Sequence, residues 1–162
     1  MWELITNIIL ILSIITIGVF GIIGLYQWVT RKSFKKIDKQ IRWMIVPLVL
    51  VALTYLLFDK ILPPVTVRPN GSGEPAFPST HVLVVTTIFF MVTIILPKYI
   101  KSKTLRVILE VLMVIGISLT CSGRVLANLH SPVDIIGAIV FAFIFSEIYL
   151  QIIKKRQKKS KK

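Results

Sequence analysis

The chain has 162 residues, 55 % of them apolar and 17 % charged, with a formal net charge of +13. Such apolar content excludes a disordered chain, and too little polar surface remains for a soluble, basic nucleic-acid-binding domain. The single cysteine, Cys121, excludes an intramolecular disulfide framework and any multi-cysteine metal site, and reads as a small apolar residue. An all-α, polytopic integral membrane bundle reconciles greasiness with charge if the charge is confined to loops.

Five apolar spans are predicted. The first, about Leu4 to Val29, carries no charge; it is too long for a signal-peptide core and has no basic residue ahead of it. The others are Trp43–Leu62, Pro78–Pro97, Thr104–Gly123 and Val133–Ile153, each near the 20 residues that cross a bilayer. Pro63-Pro64 is expected to stop the second span and Pro97 the third, while Pro132 stands where a helix favours proline. No internal repeat and no heptad pattern is evident. The chain divides into an N-terminal transmembrane helix (1–30), a basic loop (31–42), a four-helix membrane domain (43–153) and a basic tail (154–162).

Seventeen of the twenty basic residues fall in the loop 31–42, in the connection between spans three and four, and in the tail. Alternating crossings put all three segments on one side, which the positive-inside rule assigns to the cytoplasm. The expected topology is a multi-pass plasma-membrane protein with its N-terminus outside and its C-terminus cytoplasmic. Trp28 and Trp43 flank the first loop as interfacial anchors would. The other face receives only Lys60, Arg68 and Arg124, and with them both histidines, His81 and His130. Asp59, Glu74 and Asp134 lie there too, Glu74 reading as a solvated residue in a Gly-rich loop. Two further carboxylates, Glu110 and Glu147, fall toward the other ends of their spans and read as structural.

Three segments hold the reactive side chains: Lys60 to Pro69, Pro78-Ser79-Thr80-His81, and Arg124 to Asp134. Three cations suit a dianionic phosphate, which guanidinium forks match in a bidentate way. Ser79 and Thr80 open a helix, where backbone N–H groups favour an anion. His130 and Asp134 are four residues apart and share a helix face; a carboxylate on one imidazole nitrogen leaves the other free as nucleophile. His81 is then available to protonate a leaving oxygen. Ser131-Pro132-Val133-Asp134 also reads as a helix capping box, with Asp in place of Glu.

These segments resemble the signature motifs of the type 2 phosphatidic acid phosphatase family, the lipid phosphate phosphatases: Lys-x6-Arg-Pro, Pro-Ser-Gly-His and Ser-Arg-x5-His-x3-Asp. Arg68-Pro69, Pro78-Ser79, His81, Arg124, His130 and Asp134 match in order. The resemblance implies that His130 forms a phosphohistidine, Asp134 orients it, and His81 acts as general acid. Lys60, Arg68, Ser79, Thr80 and Arg124 would hold the phosphoryl group. It implies a membrane phosphatase needing no metal or other cofactor, acting at the extracytoplasmic face on a lipid phosphate or diphosphate. Phosphatidate, phosphatidylglycerophosphate and undecaprenyl diphosphate are the substrate types. Membrane lipids, not nucleic acid, are its expected partners, and the oligomeric state is open. The alternatives are a phosphotransferase using the same intermediate, and a phospholipid-binding protein without catalysis. The departures are seven residues between Lys60 and Arg68, Thr80 at the usual glycine, Gly123 at the usual serine, and five spans where the family has six, as if an N-terminal one were absent.

Overall fold

The computed structural model describes residues 1–159; of the basic tail, residues 160–162 lie outside the described part. Helix α1 (Trp2–Arg31) is followed by a left-handed Lys32 and a single 3-10 turn, Phe34–Lys36. A short helix, α2 (Lys39–Trp43), runs into α3 (Ile45–Tyr55), which ends in a wide π-helical turn, Leu56–Ile61. Then follow α4 (Thr80–Tyr99), α5 (Lys103–Leu126) and α6 (Pro132–Lys159). Among the described residues five helical segments are long and apolar enough to cross a membrane, with mean hydropathies of 2.0 to 2.9.

The five expected spans are all present, with two differences at their ends. Pro97 does not stop α4, which continues to Tyr99. A proline this close to a helix end removes one N–H bond, and the helix has only two residues left to lose. Helix α6 passes Ile153 and carries Lys154 and Lys155 onward as helix rather than as a separate tail.

Helix α4 is the hub, packing against α1, α3, α5 and α6. Of its most apolar window 61 % is buried, against 6 % for α5, whose outward residues face the space that lipid occupies. Small residues bring α6 close to α4: Ala138 and Ala142 are both fully buried beside Val82 and Leu83. In lipid, where apolar surface gains nothing by association, such close van der Waals packing holds helices together. Along α1 the same logic inverts the usual pattern. Its buried residues include Thr6, Ser13, Phe20 and Gln27, spaced by seven. A heptad does exist, then, but one marked largely by polar side chains, because the apolar ones face lipid.

One carboxylate closes the end of the bundle opposite the site described below. Asp38 accepts hydrogen bonds from Gln27 Nε2 (3.0 Å) and Tyr99 OH (2.7 Å), and Lys98 Nζ stands at 2.8 Å. Its own N–H donates to Gln27 Oε1 (2.8 Å), so α1, the 31–38 connection and α4 meet on one residue. Burial alone would raise the Asp38 pKa, but the bonds from Lys98, Tyr99 and Gln27 prevail and hold it near 2. The fall from 3.8 to about 2 is worth about 2 kcal/mol. Because the folded value is the lower one, this stabilisation is complete above pH 3.8 and is lost as pH falls through 2. At neutral pH, Asp38→Asn is expected to lower the thermal unfolding midpoint in detergent, by about 2 kcal/mol of stability. An unchanged midpoint would refute the role.

Candidate active site

The residues between the π-helical turn and α4 fold back as a narrow hairpin. Arg68 N–H donates to Glu74 O (3.0 Å) and Ala76 N–H to Thr66 O (3.0 Å), around a tip where Gly71 and Gly73 take positive φ. This hairpin roofs a cavity of about 550 Å³. Its walls come from α1 (Leu10, Ile14), the end of α3 and the wide turn (Tyr55, Phe58, Asp59, Lys60), the start of α4 (Thr80, His81), and Arg124 and His130.

The Arg124-x5-His130 spacing has a local cause. Helix α5 ends at Leu126, and Asn128 adopts φ 57, the left-handed conformation that reverses a chain at a helix C-terminus. The Arg124 carbonyl then accepts the N–H groups of both Leu129 (3.2 Å) and His130 (3.3 Å). Arg124 Nη2 consequently lies 3.4 Å from His130 Nε2, and both residues are buried. His130 Nδ1 lies 2.9 Å from Ala76 O. Donation from Nδ1–H to that carbonyl leaves the Nε2 lone pair facing Arg124 and the cavity.

Asp134, the carboxylate expected to orient His130, stands 3.8 Å from Nδ1, beyond hydrogen-bond reach. It is fully buried and engaged elsewhere: Oδ2 accepts from Ser131 N–H (2.7 Å) and Ser131 Oγ (2.9 Å), and Oδ1 accepts from Thr66 Oγ1. The bond to Ser131 N–H is the acidic half of the capping box. Asp134 thus joins the hairpin to the start of α6 and acts on His130 through its charge, while a backbone carbonyl holds the ring. Its own carbonyl accepts the N–H of Ser79 (3.1 Å), which fixes the start of α4.

The remaining expected residues divide. Arg68 lines the cavity, but Nη1 is paired with Glu74 at 2.6 Å. Glu74 is therefore no free loop residue: its carboxylate occupies part of the Arg68 guanidinium fork. Lys60 reaches the rim, ion-paired to Asp59 (2.7 Å) and over the Tyr55 ring, with 59 % of its side chain exposed. Thr80 lines the wall, and Ser79 lies just behind it, fully buried. Ser122, the hydroxyl nearest the motif's serine position, bonds to Ser118 O on the exposed side of α5 and takes no part.

His81 lines the cavity and pairs through Nε2 with Asn7 Oδ1 (2.9 Å). Asn7 escapes a motif search, although a polar amide within a membrane span is a functional signal in itself. Among the described residues, the buried donors without a hydrogen-bond partner include Arg68 Nε and Arg124 Nε, whose residues line the cavity, and the hydroxyls of Ser79, Thr86 and Thr87, whose residues do not. Buried donors are ordinarily satisfied, and the two guanidinium groups can take an anion that enters the cavity. Burial first, and then the Arg124 charge, lower the His130 pKa; Asp134 and the Ala76 carbonyl pull it back only partly, leaving it at about 4. His130 is accordingly neutral at pH 7. Among the described residues no three His, Cys, Asp or Glu side chains are grouped to hold a metal ion.

A search of curated proteins finds no match. Among solved structures, the chain is similar to one described as the crystal structure of the first transmembrane PAP2 type phosphatidylglycerolphosphate phosphatase from Bacillus subtilis. The TM-score is 0.65 at 17 % identity, covering 95 % of this chain and 77 % of that one. At this identity the likeness shows a shared fold. The family model described as the PAP2 superfamily matches residues 13–158, nearly the whole chain, and the chain therefore belongs to the PAP2 superfamily.

Proposed function

We propose that this membrane protein is a phosphatase that hydrolyses a lipid phosphate or diphosphate through a phosphohistidine on His130. The observation that carries the reading is the juxtaposition of a neutral, buried His130 Nε2 with Arg124 at 3.4 Å, in a cavity where Arg124 Nε and Arg68 Nε are buried with no hydrogen-bond partner among the described residues. A phosphoryl group is an anion that would satisfy those donors and present phosphorus to the imidazole lone pair. The cavity is lined by apolar side chains, Leu10, Ile14, Leu83 and Val84, as well as by Arg68, Arg124 and both histidines. That mixture suits a substrate carrying both an acyl or prenyl chain and a phosphate. The extracytoplasmic position of the site belongs to this proposal and rests on the charge asymmetry of the loops.

The reaction is a double displacement. His130 Nε2 attacks phosphorus in line as the P–O bond to the leaving group breaks, and His81 gives that oxygen a proton. Water then attacks the phosphohistidine, losing a proton to His81, and inorganic phosphate leaves. Arg68 and Arg124 stabilise the phosphoryl oxygens throughout, countercharge that a metal supplies in other phosphatases. Substrate phosphate has to displace Glu74 from Arg68.

Phosphate release from a panel of lipid phosphates and diphosphates, measured in detergent with EDTA, tests the reading. His130→Ala is expected to abolish release, and His81→Ala to slow it by about 10²–10⁴-fold. Equal release by all three proteins, or release only with added divalent metal, would refute the mechanism.

The protonation state of His130 gives a second test. The chain has two histidines, so His81→Gln leaves His130 as the one imidazole to follow by NMR. Its midpoint is expected near 4, well below 6.5. Because the folded value is lowered, the unfolded chain binds more protons between these values, so this residue destabilises the fold as pH drops below 6.5 and levels off below about 4. A midpoint at 6.5 contradicts the depressed pKa, and one above 7 contradicts the neutral nucleophile.

A further inference from the structure

We infer that Asn7, on α1, is a positioning residue for His81, and that Gly123 stands at the motif's serine position because α1 is seated there to deliver it. The inference rests on the reading of His81 as proton donor. Asn7 Oδ1 lies 2.9 Å from His81 Nε2, across 74 residues of sequence. An acceptor at Nε2 keeps a proton on that nitrogen, so Nδ1 is the nitrogen that exchanges a proton with the leaving oxygen. The same acceptor fixes the plane of the ring, so that Nδ1 keeps its aim as it takes up and passes on the proton.

The seating of α1 is tight at this level. Thr6, the neighbour of Asn7, is fully buried and donates from Oγ1 to Glu3 O (3.0 Å). A Cβ added to Gly123 would come within 2.6 Å of Thr6 Cγ2, with Trp2 Cε3 a further 3.6 Å neighbour. A serine at 123 would therefore lift the first turns of α1 away from α5, and Asn7 with them. Gly123 immediately precedes Arg124, so the contact that locates Asn7 is made one residue before the arginine of the site. Helix α1 is in this sense part of the site and not simply a membrane anchor.

A residue that positions a general acid matters in proportion to how much the leaving group needs a proton. The test compares two monophosphates, one leaving as an alkoxide (a lipid phosphomonoester) and one leaving readily without a proton (p-nitrophenyl phosphate). Asn7→Ala is expected to lower kcat on the lipid phosphomonoester by about tenfold, with KM changed less than about twofold. On p-nitrophenyl phosphate the loss should be less than about twofold. Asn7→Asp, which retains an acceptor oxygen, should recover most of the activity. In a His81→Ala background, Asn7→Ala should cost nothing more. Gly123→Ser should reproduce the Asn7→Ala profile, and Thr6→Ala, which removes the clashing methyl, should relieve it.

Equal losses on both substrates, or wild-type kcat in Asn7→Ala, overturn the inference while His81 keeps its role. If His81→Ala itself leaves hydrolysis of the lipid phosphomonoester intact, the proton-donor reading fails first and takes this inference with it.

Discussion

A neutral imidazole held against a guanidinium is the arrangement on which the site depends. Arg124 and His130 are 3.4 Å apart; burial first, and then repulsion from the guanidinium, keep the ring unprotonated, with the Nε2 lone pair facing the Arg124 N–H. That state needs an acceptor for Nδ1–H that favours a second proton less than a full negative charge would. The carbonyl of Ala76 meets the requirement better than a carboxylate at bonding distance would. Asp134, at 3.8 Å, contributes enough negative charge to moderate Arg124 without restoring the ordinary histidine pKa.

The rest of the upper structure serves to keep Ala76 O in place. The hairpin that carries it is pinned at Thr66 by Asp134, and Asp134 is pinned by the Ser131 cap of α6. The Asp134 carbonyl in turn fixes the start of α4, from which His81 projects. One carboxylate thereby couples the carbonyl that holds His130 to the helix bearing His81. At the far end Asp38 has a comparable part, joining α1 to α4 through Gln27, Tyr99 and Lys98. Helix α1 is tied to α4 at both ends, by Asn7 to His81 and by Gln27 through Asp38, and the apolar packing between them needs no further specificity.

What could be read from the sequence and what could not divide along a physical line. The spans were legible because a bilayer imposes a length and a composition. Arg124, His130 and Asp134 were legible because their spacing is local: a left-handed turn and a helix cap bring them together within eleven residues. The pairing of Glu74 with Arg68 was not, although the two are only six residues apart, because it depends on a hairpin whose register the loop composition does not specify. Asn7 and Ala76 were further out of reach. Asn7 meets its partner across 74 residues, and Ala76 acts through a backbone carbonyl, which every residue possesses and no motif can mark.

The interior face of α1 shows why the usual search for helix periodicity also missed it. That search looks for apolar residues on the buried side, a rule that holds when water is the alternative environment. When lipid is the alternative, an apolar side chain is equally well solvated outside, and the groups that gain by turning inward are small or polar ones. Thr6, Ser13 and Gln27 occupy the buried face, while Ile11, Leu12, Ile15 and Ile22 look outward. Asn7 follows directly on the first of these, so the polar stripe at a spacing of seven indicates how α1 is rotated, and Asn7, beside that stripe, meets His81. Read with the polarity rule reversed, the span that carries no charge becomes the one whose few polar residues locate it.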